Sequence, residues 1–379
     1  MAHDLALGAG VCRVIYLDYQ ATTPLAPEAL DVMLPWLRDG YANPHSAHAA
    51  GRKAKAAVEF ARGQVAALLP PGGRVVFTSG ATEALNWAIK GTGGEMVTLA
   101  TEHAAVLDTV RSESRAGRNQ TVLSVERDGL VDLSKLRDAT WPGTGLVAAM
   151  LVNNEIGVVQ PIAEIAEMAH RADALLLCDA VQGYGRVAIP TGCDLIAISA
   201  HKIYGPKGIG ALWIRDGVRL EPMLHGGDQE GGRSGTLSPA LCAGFGRAAG
   251  VMAERREDDA AHLERLWTRA IDRLGPGWHI NGSTRDRYHG NLNIRRDGLD
   301  VARLMSDLRD IAFSAGSACA SGSGRSSHVL RAVGLTEAQA RSSIRLGFGR
   351  YTTEPELTEA IDRIIAAADA QQNSGGIAA

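Results

Sequence analysis

Six short apolar runs, set between stretches of helical spacing, constrain this chain more than any other feature. They lie at 74–79, 95–100, 146–152, 175–178, 195–199 and 210–214. Runs of four to seven residues that are apolar at consecutive positions suit strands covered on both faces. Helical stretches, notably 81–90 and 161–172, separate most of them. Alternation of this kind predicts an α/β fold, a mainly parallel sheet with helices on both faces. After Pro239 the character changes: 239–255 and 256–274 read as helices, the second amphipathic and rich in charge. The remainder, with Gly290-Asn-Leu-Asn-Ile-Arg and Ser343-Ile-Arg-Leu-Gly-Phe, reads as a smaller α+β unit. The expected division is a large domain over 16–255 and a small one from 1–15 and 256–379.

Composition excludes several classes of function. With 39 basic and 42 acidic residues, a net charge of −3 and no Lys/Arg block, nucleic acid is not an expected partner. No apolar run is long enough to cross a membrane, and the start lacks the basic and apolar regions of a secretory signal. Five cysteines without CxxC spacing indicate neither a disulfide framework nor a metal site. The expected location is cytoplasmic.

Four places along the chain bear chemistry. Lys202 follows the apolar run 195–199 and precedes the glycine-rich Tyr204-Gly-Pro-Lys-Gly-Ile-Gly. A lysine there, beside Ser199 and His201, is placed to hold an aldehyde cofactor as a Schiff base. Asp179 ends the run Leu175-Leu-Leu-Cys-Asp. A carboxylate at the end of a buried strand needs a cation, and a protonated pyridine nitrogen would be one; capping of a following helix is the plainer alternative. Gly80-Ala81-Thr82, at a strand-to-helix turn, offers N–H groups and a hydroxyl to a phosphate. His103 follows another strand and could stack on a ring or shuttle protons. Together these are the parts of a pyridoxal phosphate site.

Longer motifs carry a resemblance. Tyr16-Leu-Asp-Tyr-Gln-Ala-Thr-Thr-Pro, Phe77-Thr-Ser-Gly-Ala-Thr-Glu, Val152-Asn-Asn-Glu-Ile-Gly, Asp179-Ala-Val-Gln, Ser199-Ala-His-Lys, Arg233-Ser-Gly-Thr and Ser314-Ala-Gly-Ser-Ala-Cys occur in order over nearly the whole chain. They resemble the cysteine desulfurases of the NifS/IscS type, aminotransferase class V members with the type I pyridoxal-phosphate fold. The resemblance implies pyridoxal 5′-phosphate as cofactor, bound covalently by Lys202. Asp179 would pair with its ring nitrogen, Gln182 would bond the ring oxygen, and His103 would stack on the ring. Ala81, Thr82, Ser199 and His201 would hold the phosphate. Thr236 would reach the phosphate of a partner subunit, which implies a homodimer. Asn154 and Arg345 would bind the carboxylate of the substrate, L-cysteine, and a guanidinium suits that task through two parallel hydrogen bonds.

Cys319 would decide the reaction. Its surroundings, Ser314-Ala-Gly-Ser-Ala-Cys-Ala-Ser-Gly-Ser-Gly-Arg, are small, polar and glycine-rich, the composition of an exposed loop. The resemblance makes it the thiol that takes sulfur from L-cysteine, leaves L-alanine and passes its persulfide to an acceptor protein. The purpose would be iron–sulfur cluster assembly or thiolation. The tail after the last helix, 371–379, is shorter than the one family members use to dock an iron–sulfur scaffold, which leaves the acceptor open. A selenocysteine lyase, a class V aminotransferase and a non-catalytic sulfur carrier are the alternatives. A transaminase has no use for Cys319, and a carrier has none for Lys202, Asp179 and His103.

Overall fold

The computed structural model describes residues 14–315 and 326–375. Its strands, in chain order, are β1 (Ile15–Tyr16), β2 (Gly73–Thr78), β3 (Glu95–Leu99), β4 (Gln120–Leu123), β5 (Thr144–Met150), β6 (Leu175–Asp179), β7 (Leu195–Ser199), β8 (Gly210–Arg215), β9 (His279–Ile280), β10 (Asn291–Arg295), β11 (Ile311–Ala312), β12 (Ser314–Ala315) and β13 (Ser343–Gly347).

Seven of them form one sheet in the order β2-β8-β7-β6-β5-β3-β4. β7, β6, β5, β3 and β4 pair in parallel, and β8 runs antiparallel to both of its neighbours. The six apolar runs are all in this sheet. Their consecutive apolar residues divide between two cores. Phe77, Val97, Val147, Cys178, Ile196 and Trp213 face one, while Val76, Met96, Leu146, Leu177, Leu195 and Leu212 face the other. Both faces are thus covered, as the unbroken hydrophobicity required. β4 has no counterpart among the runs. Gln120-Thr-Val-Leu is an edge strand with exposed and half-buried residues, so its sequence carries no burial signal.

A second sheet, β12-β13-β10-β9, belongs to the C-terminal part. It packs with the helices Arg256–Arg273 and Glu354–Gly375 around Leu266, Leu292, Ile344, Leu346 and Ile361. Ile15 and Leu17 join this core, and β1 pairs with β11. The segment after β1 then crosses toward β13: Gly347 donates its N–H to Leu17 O, and a β-carbon at Gly347 would overlap the Gln20 side chain. Only glycine permits this approach. It places Asp18 and Gln20 beside the strand that carries Arg345.

Candidate active site

The carboxyl ends of β2, β3, β5, β6 and β7 lie along one edge of the sheet, where open α/β sheets bind ligands. A cavity of about 430 Å³ opens there. Ala81, Thr82, His103, Asn154, Asp179, Gln182, Ser199, His201 and Lys202 all line it. Residues separated by more than a hundred positions thus meet because each follows a strand of one sheet.

Lys202 sits in a tight turn after β7. The Thr23 hydroxyl donates to His201 O (3.0 Å) and accepts from the Tyr204 N–H (2.7 Å), and Tyr204 holds φ +66°. A non-glycine residue in that region is strained, and here the turn is held by contacts on both sides. The Lys202 Nζ donates to the carbonyls of Gln20 and Ala21. Burial, with the Arg345 and Arg186 charges, pulls its pKa down to about 8. The amine is therefore neutral more readily than an ordinary lysine, which is what a nucleophile toward an aldehyde needs.

Asp179 is 6% exposed. Burial pushes its carboxyl above the usual carboxylate range, against the pull of the Val181 N–H, His103 and Lys202. The Val181 N–H donates to Oδ1 at 3.0 Å, so the local turn contact coexists with the cavity position. His103 is the N-cap of the helix Ala104–Arg115, and its Nδ1 accepts from the Ala105 N–H at 3.0 Å. In the neutral ring the proton must then lie on Nε2. Burial favours that neutral form by lowering the pKa, with Asp179 opposing. His201 is lowered to about 4 by burial and by Lys202 and Lys207, and it bonds the Thr22 hydroxyl.

The phosphate end fits the expectation. Gly80 caps the helix Ala81–Lys90 without any side-chain hydrogen bond, so the first-turn N–H groups face the cavity uncapped. Lys207, also on the wall, adds a cation that sequence reasoning left out. The Gln182 amide donates to Gln20 O (2.9 Å), while its Oε1 is buried without a partner among the described residues. An orphaned polar atom, a buried carboxylate and a lysine of low pKa on one wall fit pyridoxal phosphate.

Three expected residues are not on this wall. Thr236 is exposed, on a segment pinned by Arg233 to Glu83 (2.7 Å) and by Glu230 to Arg62 (2.7 Å). Arg345 is 1% exposed and lies behind the wall, bonded to Asp18 and to Asn154 O. Cys319 lies outside the described residues. Asp18 and Gln20 were missed as site residues. Their only signal was the motif Tyr16-Leu-Asp-Tyr-Gln, far from the strands it serves. Glu102 was missed too: it is wholly buried, accepts the Met150 N–H, and is pushed well up by burial.

Known proteins resemble this chain over most of its length. The family model for aminotransferase class-V matches residues 15–359. A probable mitochondrial cysteine desulfurase of Schizosaccharomyces pombe is 45% identical over 367 residues, 92% of this chain and 73% of that protein. A solved NifS-like protein from Rickettsia africae superposes with a TM-score of 0.87 at 31% identity, covering 94% of this chain and all of the other. A structure of SspA in complex with cysteine superposes at 0.80 and 35% identity, covering 89% of this chain and 99% of the other. The expected cytoplasmic location is corrected here. The S. pombe relative, and those from Saccharomyces cerevisiae and Eremothecium gossypii at 46% identity, are mitochondrial proteins.

Proposed function

This chain belongs to the aminotransferase class-V family, among the pyridoxal-phosphate-dependent cysteine desulfurases of the NifS/IscS type, and on that premise we propose how its own residues remove sulfur from L-cysteine. When bound, the cofactor withdraws electrons from the substrate's α-carbon and so loosens its C–H bond and the neighbouring C–S bond. Lys202 holds the cofactor and, once released, carries the α-proton; its low pKa keeps it a base near neutral pH. Asp179 would pair with the ring nitrogen, a cation there restoring the charge that burial now disfavours. His103 would stack on the ring and move protons through Nε2, since Nδ1 is committed to the helix. Gln182 would bond the ring oxygen. Ala81, Thr82, Ser199 and His201 receive the phosphate, and Asn154 and Arg345 the substrate carboxylate.

Cys319 takes the sulfur. Its thiolate bonds the substrate's sulfur, the C–S bond breaks, and the electron pair stays with the carbon skeleton, which is protonated and leaves as L-alanine. The persulfide then passes to an acceptor protein. The single observation that carries these assignments is the convergence of Lys202, Asp179, His103 and Gln182 on one cavity. We also assign residues 16–255 to a cofactor domain and the rest to a small domain carrying Cys319. A homodimer in which Thr236 serves the partner's phosphate accounts for its exposure away from its own site. The exposed apolar residues Leu30, Leu34 and Leu37 on the helix Pro27–Arg38 are surface that a second copy would cover.

The test supplies L-cysteine and a reductant and measures sulfide and alanine. Cys319→Ala should lose sulfide release, and mass spectrometry of the wild type should find one added sulfur on Cys319. Equal sulfide release by both proteins would remove the persulfide role.

A further inference from the structure

The bonding of Arg345 points beyond its assignment as a carboxylate binder. Its side chain is buried, 1% exposed. Nη1 donates to Asn154 O at 3.0 Å. Nη2 donates to Asp18 Oδ1 at 2.8 Å and to the Ser314 hydroxyl at 3.2 Å, and that hydroxyl donates in turn to Asp18 Oδ1 at 2.9 Å. Nε is buried and has no partner among the described residues. Nε and Nη2 form the edge that a carboxylate grips with two parallel bonds. Asp18 thus occupies the edge but satisfies only one of its two donors. The pair also lies within electrostatic reach of Lys202, where both charges are felt.

We propose that Asp18 is a stand-in for the substrate's α-carboxylate: it holds the Arg345 guanidinium in the free enzyme and yields Nη2 when a ligand carboxylate takes the whole edge. Asp18 is therefore a positioning residue, acting through Arg345. It stops a buried guanidinium from standing unpaired, and it competes with the ligand. An amine without a carboxylate does not contest this edge, so the competition weakens the binding of amino acids and leaves that of amines unchanged. This rests on the reading that Arg345 receives the substrate carboxylate.

Calorimetric titration of the cofactor-loaded enzyme with L-alanine and with ethylamine, which lacks the carboxylate, separates the possibilities. Asp18→Asn removes the competing charge while keeping an acceptor for Ser314. L-Alanine should bind about fivefold more tightly to it, the scale of one partly exposed ion pair. Ethylamine binding should not change, and the KM for L-cysteine should fall more than kcat does. If Asn folds poorly, Asp18→Ala should give the same pattern: tighter L-alanine binding and unchanged ethylamine binding. Weaker L-alanine binding, or equal shifts for both ligands, overturns the stand-in. Arg345→Gln tests the underlying reading separately: it should reduce L-alanine to the affinity of ethylamine. If L-alanine keeps its advantage there, the assignment of Arg345 itself is wrong.

Discussion

Lys202 shows how far burial alone can prepare a residue for chemistry. Its amine meets two backbone carbonyls and no carboxylate within hydrogen-bond range among the described residues, and it sits near two guanidinium groups. Desolvation disfavours the ammonium, Arg345 is the largest charge acting with it, and the pKa comes to about 8. Below that pH the lysine is protonated and unreactive; above it the amine is free. Competitive acetylation of the cofactor-free protein should therefore show Lys202 reacting with a midpoint about 8, two units below surface lysines. Arg345→Gln should raise that midpoint by removing a like charge. A midpoint near 10 for the wild type would mean that the lysine is not desolvated. The sequence marks Lys202 by its place after a strand, but its pKa depends on burial and on the charges of Arg345 and Arg186, which only the fold brings beside it.

At the scale of elements, the segment carrying Thr236 is held by two ion pairs to the large sheet's side of the molecule. Glu230 is buried, takes Arg62 through both oxygens (2.7 and 2.8 Å), and accepts the Phe77 N–H of β2 (2.8 Å). Arg233 grips Glu83 in the first turn of the helix that bears Thr82. Removing one partner of such a pair leaves a buried charge and an N–H unsatisfied, a cost of roughly 2–4 kcal/mol. Glu230→Ala should lower the melting temperature by several degrees. It should also speed proteolytic cleavage within 224–236 relative to the rest of the chain. An unchanged cleavage pattern would show that Arg233 holds the segment alone. The helices and strands around this segment were legible from periodicity, whereas the pairing of Glu230 with Arg62 joins residues 168 apart and leaves no local trace.

For the whole molecule, the homodimer proposed above would add Thr236 to the phosphate site. The cavity of one chain offers helix N–H groups, Thr82, Ser199 and His201 to a phosphate, while Thr236 is exposed and is not on its wall. Sedimentation should give about twice the 40.0 kDa of the chain. Thr236→Ala should leave that mass unchanged and hasten loss of cofactor on dialysis; unaltered retention would remove Thr236 from the partner's site. What the sequence by itself determined was the α/β class, the strand ends that bear Asp179, His103 and Lys202, and the family. Those signals are local: an unbroken apolar run reports burial on both faces, and a polar residue closing it reports an edge. The exception is Cys319, which its motif marks but which lies outside the described residues. Tertiary structure alone decided that Gln20 meets Lys202 and Asp18 meets Arg345, and that Glu102 is buried with no cation bonded to its carboxyl group among the described residues. Each depends on segments brought together by packing, here the crossing of residues 17–20 over Gly347, and charge pairing across such distances is written in no stretch of sequence.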